Sequence, residues 1–180
     1  MLIYPATSLL LMIDMQERLL PAMSGGAQVE RNCSILVRAA SRKAVPTVAT
    51  EQYPKGLGRT VSGLSDLLPE NSIVEKLEFS CARNAAIMTW LEATGRRQAV
   101  LCGVEAHVCV LQTAMDLQAR GFDVFVAIDA CASRKDESRR MASARLSAAG
   151  ISVVTTEMVV FEMIETAGSP DFRELSKLIQ

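Results

Sequence analysis

Three side chains capable of covalent or acid–base chemistry follow apolar runs of the sequence: Asp14, Lys76 and Cys109. Asp14 follows "SLLLMI", Lys76 closes "SIVEK", and Cys109 comes five residues after "QAVLCGV". A carboxylate can accept a thiol proton and an ammonium group favours a thiolate, so the combination suits nucleophilic catalysis by cysteine. Each residue alone has a plainer interpretation, as a turn-capping acid, a solvent-facing lysine or a buried thiol. The chemistry therefore depends on whether the fold brings the three together.

The only histidine of the chain, His107, lies two residues before Cys109. Helical residues two apart point about 200° away from each other, so a direct Cys–His pair is disfavoured. We expect His107 either to line the mouth of a pocket or to form a structural hydrogen bond near a helix start. Cys109 is expected in the first turn of that helix, where the helix dipole and free N–H groups favour a thiolate.

Short apolar runs alternate with longer amphipathic runs, which indicates strands alternating with helices. Strands are predicted at 8–14, 46–50, 72–76, 98–104, 123–129 and 151–156, and helices at about 28–43, 83–94, 107–120, 134–149, 157–166 and 170–178. Most of the strands are continuously apolar, as expected when helices cover both faces of a parallel sheet. The pattern predicts an α/β fold, a three-layer α/β/α architecture with a six-stranded, mostly parallel, Rossmann-like sheet. We expect one domain over residues 1–180.

The carboxyl ends of parallel strands are where ligands bind in open α/β sheets. Asp14, Lys76 and the segment leading to Cys109 all leave such ends, as do Glu51 after the second strand and Asp129 after the fifth. The stretch 50–71 is irregular and rich in glycine and proline, and loops of that length in compact domains are more often functional than idle. The sequence thus predicts a site at this edge of the sheet.

Composition excludes several classes of function. Apolar residues make up 49% of the chain, and 19 Lys and Arg against 20 Asp and Glu give a net charge of −1 with no basic block. This argues against nucleic-acid and membrane-surface partners. The apolar N-terminal run is too short to span a membrane and lacks the basic start of a signal peptide. Five cysteines without a CxxC pair favour a reduced, cytoplasmic chain without a disulfide framework or structural zinc.

Three segments carry a resemblance to a known family: "LLLMIDMQ", "VEKLEFS" and "GVEAHVCVLQTAMDLQARGFDVFVAIDAC". They resemble the isochorismatase-like cysteine hydrolases, which include nicotinamidases, N-carbamoylsarcosine amidases and isochorismatases. "TEQYPKGLG" and "DACASR" look closest to the isochorismatase domain-containing branch shared by bacteria and eukaryotes. The resemblance implies that Cys109 is the nucleophile, Asp14 its general base and Lys76 the charge partner.

The resemblance also implies a shaped loop before the nucleophile. A cis peptide would lie at Val104–Glu105, and the loop through Ala106 and His107 to Cys109 would turn backbone N–H groups toward one point. Such convergent donors form an oxyanion hole.

The sequence departs from the nicotinamidase pattern at the metal site. Nicotinamidases carry a D-x-H motif and a further histidine that bind a metal, whereas the matching stretch here is Glu51-Gln52-Tyr53. One histidine cannot build a multi-histidine site, so we expect no metal and no cofactor. Isochorismatases proper act on a vinyl ether without needing the cysteine, and this chain keeps it.

Specificity is expected to come from the loops around the site. Glu51, Gln52, Tyr53 and Phe79 are the predicted pocket residues, with Tyr53 either stacking on a planar ligand or packing beside its neighbouring proline. Arg83 is either a bidentate partner for a substrate carboxylate or an ordinary surface arginine.

The predicted function is hydrolysis of a small amide, or less favourably an ester, through a Cys109 acyl-enzyme. Three alternatives stay open: a silent binding or scaffold protein on the same fold, a vinyl ether hydrolase, and a redox-reactive thiol protein. The last needs Cys81, Cys102 or Cys131 close to Cys109. A homo-oligomer is expected, since relatives assemble and "EMVVFEMIE" (157–165) could pack on a partner chain, although it could equally be a buried helix of the monomer.

Overall fold

The computed structural model describes residues 1–179, and its centre is a parallel sheet of six strands. The strands are β1 (Ser8–Ile13), β2 (Thr47–Gln52), β3 (Ile73–Lys76), β4 (Gln98–Val104), β5 (Asp123–Ala132) and β6 (Ser152–Val154). Their order is β3-β2-β1-β4-β5-β6, and every neighbouring pair is parallel. The predicted three-layer α/β fold is confirmed, with a sheet that is parallel throughout these strands.

Helices cover both faces of the sheet. They are α1 (Gly26–Arg42), α2 (Pro54–Leu57), α3 (Ser62–Ser65), α4 (Ala85–Ala93), α5 (Leu111–Ala119), α6 (Asp136–Ala148), α7 (Thr156–Ile164) and α8 (Phe172–Leu175). In β1, Leu10 and Met12 pack in the layer of α1 and α7, while Leu9 and Leu11 pack in the layer of α4, α5 and α6. Successive side chains of a strand point to opposite faces, so a strand covered on both faces must be apolar throughout.

The structure differs from the sequence prediction at the end of β5. This strand continues to Ala132 rather than ending at Asp129, because its register against β4 shifts: Leu101 pairs with Val126, but Gly103 pairs with Cys131. The Asp129 carboxylate accepts hydrogen bonds from the Thr156 N–H at 2.7 Å and the Thr156 hydroxyl at 3.0 Å. Asp129 therefore fixes the start of α7 and does not join the other strand-end residues.

Two further segments are more structured than the sequence indicates. The stretch 50–71, predicted to be irregular, holds the end of β2 and the short helices α2 and α3. The single helix predicted at 107–120 is a π-helical turn over Ala106–Val110 followed by α5. In that turn the Val108 and Val110 N–H groups both donate to the Glu105 carbonyl, at 3.1 and 3.2 Å.

The strand order places a crevice between β1 and β4. The chain leaves β1 toward β2 on one side and leaves β4 toward β5 on the other, so the carboxyl ends of these neighbouring strands form the topological switch point. Asp14 follows β1 and the π turn follows β4 at this point. The fold thus delivers two of the three candidate residues to the position where open parallel sheets bind ligands.

Close contact between β1 and β4 depends on Gly103, which has φ +115°. A Cβ at this position would overlap the carbonyl oxygen of Ile13 and lie 2.7 Å from its backbone nitrogen. Gly103→Ala is therefore expected to lower the free energy of unfolding by about 3 kcal/mol or more, from the clash and the backbone strain together. Urea denaturation measures this loss.

Gly95→Ala is the matched control, because Gly95 also has a positive φ, +67°, but no atom lies within 4 Å of the position that a Cβ would take there. It should lose only the strain of the left-handed conformation, roughly 1 kcal/mol. Equal losses for the two variants would contradict the role given to close approach at Gly103.

Candidate active site

Asp14 is a fully buried carboxylate immediately after β1, with φ +53°. Its Oδ1 accepts a hydrogen bond from the Thr50 hydroxyl at 2.7 Å, and its backbone N–H donates to the Thr50 carbonyl at 3.1 Å. Aspartate is one of the few residues that adopt the left-handed region readily. Sequence reasoning did not single out Thr50, and its position at the end of a predicted strand was the available signal.

Lys76, the last residue of β3, forms a buried ion pair with Asp14. Its Nζ lies 2.7 Å from Asp14 Oδ2, 2.7 Å from Gln52 Oε1 and 3.2 Å from the Glu78 carbonyl oxygen. An ammonium group has three N–H donors, so these acceptors use all of them. Lys76 therefore influences a neighbouring thiol through its charge and through Asp14, rather than through an N–H directed at sulfur.

Burial and mutual attraction set the pKa values of this pair. Burial raises the pKa of Asp14 above its ordinary value, and the opposing attraction of Lys76 offsets only part of that effect. Burial by itself would lower the pKa of Lys76, but the charge of Asp14, its hydrogen bond with Lys76 and the nearby Cys81 and Cys109 thiols together outweigh burial, and the pKa is raised. Asp14 is thus a stronger base than an exposed aspartate, which suits a group that must accept a proton.

Cys109 lies in the π turn, close enough to the Asp14 carboxylate for each group to shift the pKa of the other. It is 6% exposed, whereas the other four cysteines are at most 1% exposed. Burial and then the negative charge of Asp14 raise the pKa of the Cys109 thiol, against the smaller opposing effect of Lys76. The thiolate expected from a helix start is therefore not favoured, because α5 begins only at Leu111 and the nearest charge is an anion.

The segment Glu105–His107, just before Cys109, forms hydrogen bonds with the residues that follow β5. The Val104–Glu105 peptide bond is cis, and Val104 and Ala106 are buried. Glu105 Oε2 accepts the Arg134 backbone N–H at 3.2 Å and Arg134 Nε at 3.1 Å. His107 Nδ1 shares a hydrogen bond of 2.9 Å with Ser133 Oγ.

The role of His107 is consequently a structural hydrogen bond rather than a pairing with Cys109, in line with one of the two expectations for it. Sequence reasoning did not single out Ser133 or Arg134 individually. Both lie in "DACASR", and that segment was the only signal for them.

Two of the predicted pocket residues, Glu51 and Gln52, form hydrogen bonds with residues around the site and do not line the cavity found there. The Glu51 carboxylate is buried and accepts hydrogen bonds from the Thr60 N–H at 2.7 Å, the Thr60 hydroxyl at 2.9 Å and Arg59 at 2.9 Å. Burial raises the pKa of Glu51, but these bonds outweigh it and the pKa is lowered. Gln52 accepts from Lys76 and donates to the Leu77 carbonyl at 2.8 Å.

A cavity of about 410 Å³ opens beside β3, and Lys76 is the only one of the three candidate catalytic residues in its lining. Its lining consists of Tyr53, Pro54, Lys55, Glu75, Lys76, Leu77, Glu78 and Asn84. Tyr53 lines this cavity. Phe79 follows the lining residue Glu78 and is more than half exposed.

Cys81 and Arg83 are the sequence candidates for a partner thiol of Cys109 and for a ligand of a substrate carboxylate. Cys81 is buried, its Sγ is 3.9 Å from Thr50 Oγ1, and burial raises its pKa to about 11. Arg83 is exposed, and its Nε lies 2.7 Å from Asp116 Oδ2, so its guanidinium is already paired with a carboxylate.

Residues 1–179 contain neither a clustered metal site nor a membrane-spanning helix. No group of three or more His, Cys, Asp or Glu side chains in this range is placed to hold a metal ion. No helix in the described part of the chain is both long and apolar enough to cross a membrane.

A family model, the isochorismatase domain, matches residues 8–158. This chain belongs to the isochorismatase family. The match begins at the first residue of β1 and ends within α7, so it contains the whole sheet together with Asp14, Lys76 and Cys109.

Individual isochorismatase-family relatives align over nearly the whole chain. Isochorismatase domain-containing protein 1 of Salmo salar is 36% identical over 176 residues, covering 98% of this chain and 62% of that protein. Isochorismatase domain-containing protein 2 of Bos taurus is 38% identical over 181 residues, covering 99% and 85%. The chain thus spans less than two thirds of the Salmo salar protein and most of the Bos taurus protein.

Solved structures superpose closely on the fold. The MAR1 ribonuclease of Caenorhabditis elegans has a TM-score of 0.94 at 36% identity, with 99% of this chain and 92% of that chain covered. The Escherichia coli YcaC protein, described as an octameric hydrolase of unknown specificity, has a TM-score of 0.88 at 25% identity, with 98% and 95% covered.

Proposed function

We propose that this isochorismatase-family protein is a metal-independent cysteine hydrolase that cleaves a small amide through an acyl-enzyme on Cys109. One observation carries the proposal: a fully buried Asp14 carboxylate, 2.7 Å from the Lys76 ammonium, lies within reach of the most exposed thiol of the chain. Burying an ion pair is costly and seldom needed for stability alone. A carboxylate with a raised pKa beside a cysteine suits proton transfer.

The reaction begins with transfer of the Cys109 proton to Asp14 as sulfur attacks the carbonyl carbon. The new C–S bond places a negative charge on the carbonyl oxygen of a tetrahedral intermediate. As the C–N bond breaks, Asp14 returns the proton to the leaving amine. Asp14 then takes a proton from water, the resulting hydroxide attacks the thioester, and the released thiolate recovers the proton.

The raised pKa of Cys109 is compatible with this order of events. The thiol is protonated at rest, so proton transfer and attack occur together, and Asp14 is the acceptor that makes this possible. Lys76 keeps Asp14 charged until that step. Backbone N–H groups of the Ala106–Cys109 segment other than that of Val108, which donates to the Glu105 carbonyl, serve as the oxyanion donors. Each donor is worth roughly 3–4 kcal/mol of transition-state stabilisation.

The cavity favours a small substrate over a polyanion. Its charged lining includes Glu75 and Glu78 beside Lys55 and the already paired Lys76, and the chain has a net charge of −1. Binding of nucleic acid depends on clustered basic side chains. A short RNA therefore serves as the comparison substrate, since the Caenorhabditis elegans neighbour is named a ribonuclease.

The test is intact-mass spectrometry of wild type and Cys109→Ala after incubation with small amides, small activated esters and a short RNA. We expect a covalent adduct on wild type with an amide or ester, and no adduct on Cys109→Ala, whose turnover should fall by about 10⁴-fold or more. A wild type that forms no adduct and turns over no substrate would favour the scaffold alternative. RNA cleavage that survives Cys109→Ala would contradict the acyl-enzyme.

The setting of this activity is also a proposal. We infer one domain over residues 1–180 that assembles with copies of itself in the cytoplasm. The five free cysteines, the exposed Met158 and Phe161 side chains of α7, and the octameric state described for the Escherichia coli neighbour support it. Light scattering on the purified protein measures the assembly state.

A further inference from the structure

The loop before the nucleophile contacts two consecutive residues that follow a different strand, β5. Ser133 and Arg134 follow β5 directly, 26 and 29 residues away from their partners His107 and Glu105. Together these partners flank Ala106, which is fully buried. Both ends of the three-residue segment Glu105–His107 are thus fixed by one short stretch of chain.

That stretch is itself anchored. Ser133 is buried, and its carbonyl accepts a hydrogen bond from the Ser24 N–H at 3.0 Å. The backbone of Ser133 is therefore anchored where its hydroxyl contacts His107 Nδ1 at 2.9 Å. Arg134 directs its backbone N–H and its Nε at the same Glu105 oxygen.

From this arrangement we infer that Ser133 and Arg134 are positioning residues, which hold the Glu105–His107 segment so that its backbone N–H groups face the oxyanion. The inference rests on the proposed function, because an oxyanion forms only if Cys109 attacks a carbonyl. Neither residue touches the reacting atoms. They act through His107 and Glu105.

The Arg134–Glu105 ion pair is expected to contribute more to the placement of the Glu105–His107 segment than to the free energy of unfolding. The Arg134 side chain is 66% exposed, and an exposed ion pair contributes at most about 1 kcal/mol to folding. Small errors in the placement of catalytic groups have much larger effects on rate, up to about 10²-fold for a shift of roughly 1 Å. Removing the pair of contacts should therefore affect catalysis more than folding.

The test compares two reactions of the same thiol. p-Nitrophenyl acetate acylates Cys109 through a tetrahedral oxyanion and releases p-nitrophenolate. Iodoacetamide alkylates it by displacement of iodide, with no oxyanion. We expect Ser133→Ala/Arg134→Ala to acylate about 10- to 100-fold more slowly than wild type, with the alkylation rate unchanged within about twofold.

Arg140→Ala is the matched control, because Arg140 is a similarly exposed arginine whose ion pair is with Asp136 of the same helix, α6, and not with Glu105. It should match wild type in both reactions. Unchanged acylation in the double variant, or equal loss of acylation and alkylation, would overturn the inference. If wild type itself is alkylated but never acylated, the proposed function fails and the inference fails with it.

Discussion

Asp14→Asn is expected to make Cys109 more reactive toward iodoacetamide while lowering amide turnover by about 10²- to 10⁴-fold, the usual contribution of a general base. Burial and the negative charge of Asp14 are what raise the pKa of the thiol, and Lys76 opposes them. Removing the anion leaves burial and an unopposed cation, so the thiol pKa falls. The same change removes the group that accepts the proton during attack. The alkylation rate of Cys109 should therefore rise in Asp14→Asn while amide turnover falls.

The measurement is the alkylation rate of Cys109 as a function of pH, read by mass spectrometry. In wild type the rate should still be rising above pH 9, the ordinary pKa of the thiol, because the folded value lies higher. In Asp14→Asn the rise should move to lower pH, by about a tenfold change in thiolate fraction for each unit of pKa.

A surface aspartate provides the control for this experiment. Asp136→Asn removes a half-exposed carboxylate in α6 and should leave the profile of Cys109 unchanged. A profile for Asp14→Asn that shifts to higher pH, or turnover that survives the change, would contradict the assignment of Asp14 as the base.

Lys76→Met is expected to lower the free energy of unfolding by about 3–5 kcal/mol, because it leaves Asp14 buried without its cation. Lys76 is the main influence that holds the pKa of Asp14 down against burial, so in the variant that pKa rises further. A carboxyl group whose pKa is higher in the folded than in the unfolded protein favours folding at low pH. This contribution is lost as pH rises through the folded pKa. The deficit relative to wild type should therefore shrink as pH is lowered from 8 toward 4.

Urea unfolding of wild type and Lys76→Met at several pH values measures this effect. The double variant Asp14→Asn/Lys76→Met is the control, since removing both charges should restore much of the lost stability. A deficit independent of pH, or no recovery in the double variant, would show that Lys76 stabilises by packing rather than by neutralising Asp14. Turnover by Lys76→Met should fall as well, since a protonated Asp14 accepts no proton.

The sequence alone predicted the fold class and the three central residues. Continuous apolar runs separated by amphipathic ones indicate strands covered on both faces and joined by helices, the pattern typical of a parallel sheet. Parallel strands align their carboxyl ends, so residues far apart in the chain, such as Asp14 and Lys76, fall at one edge of the sheet. The contact between these two side chains, 2.7 Å in the structure, follows from that geometry.

Burial and contacts between distant segments decided the rest. The local position of Cys109 suggested a thiolate, but the pKa of its thiol depends on desolvation and on Asp14, neither of which a local pattern contains. Glu51 appeared free to line a pocket, yet it binds Thr60, nine residues on. The support given to Glu105 by Arg134 depends on where β5 ends, and that end was set by pairing with β4. Local sequence specifies periodicity and the types of side chain, whereas charge state and orientation arise only from packing in the folded chain.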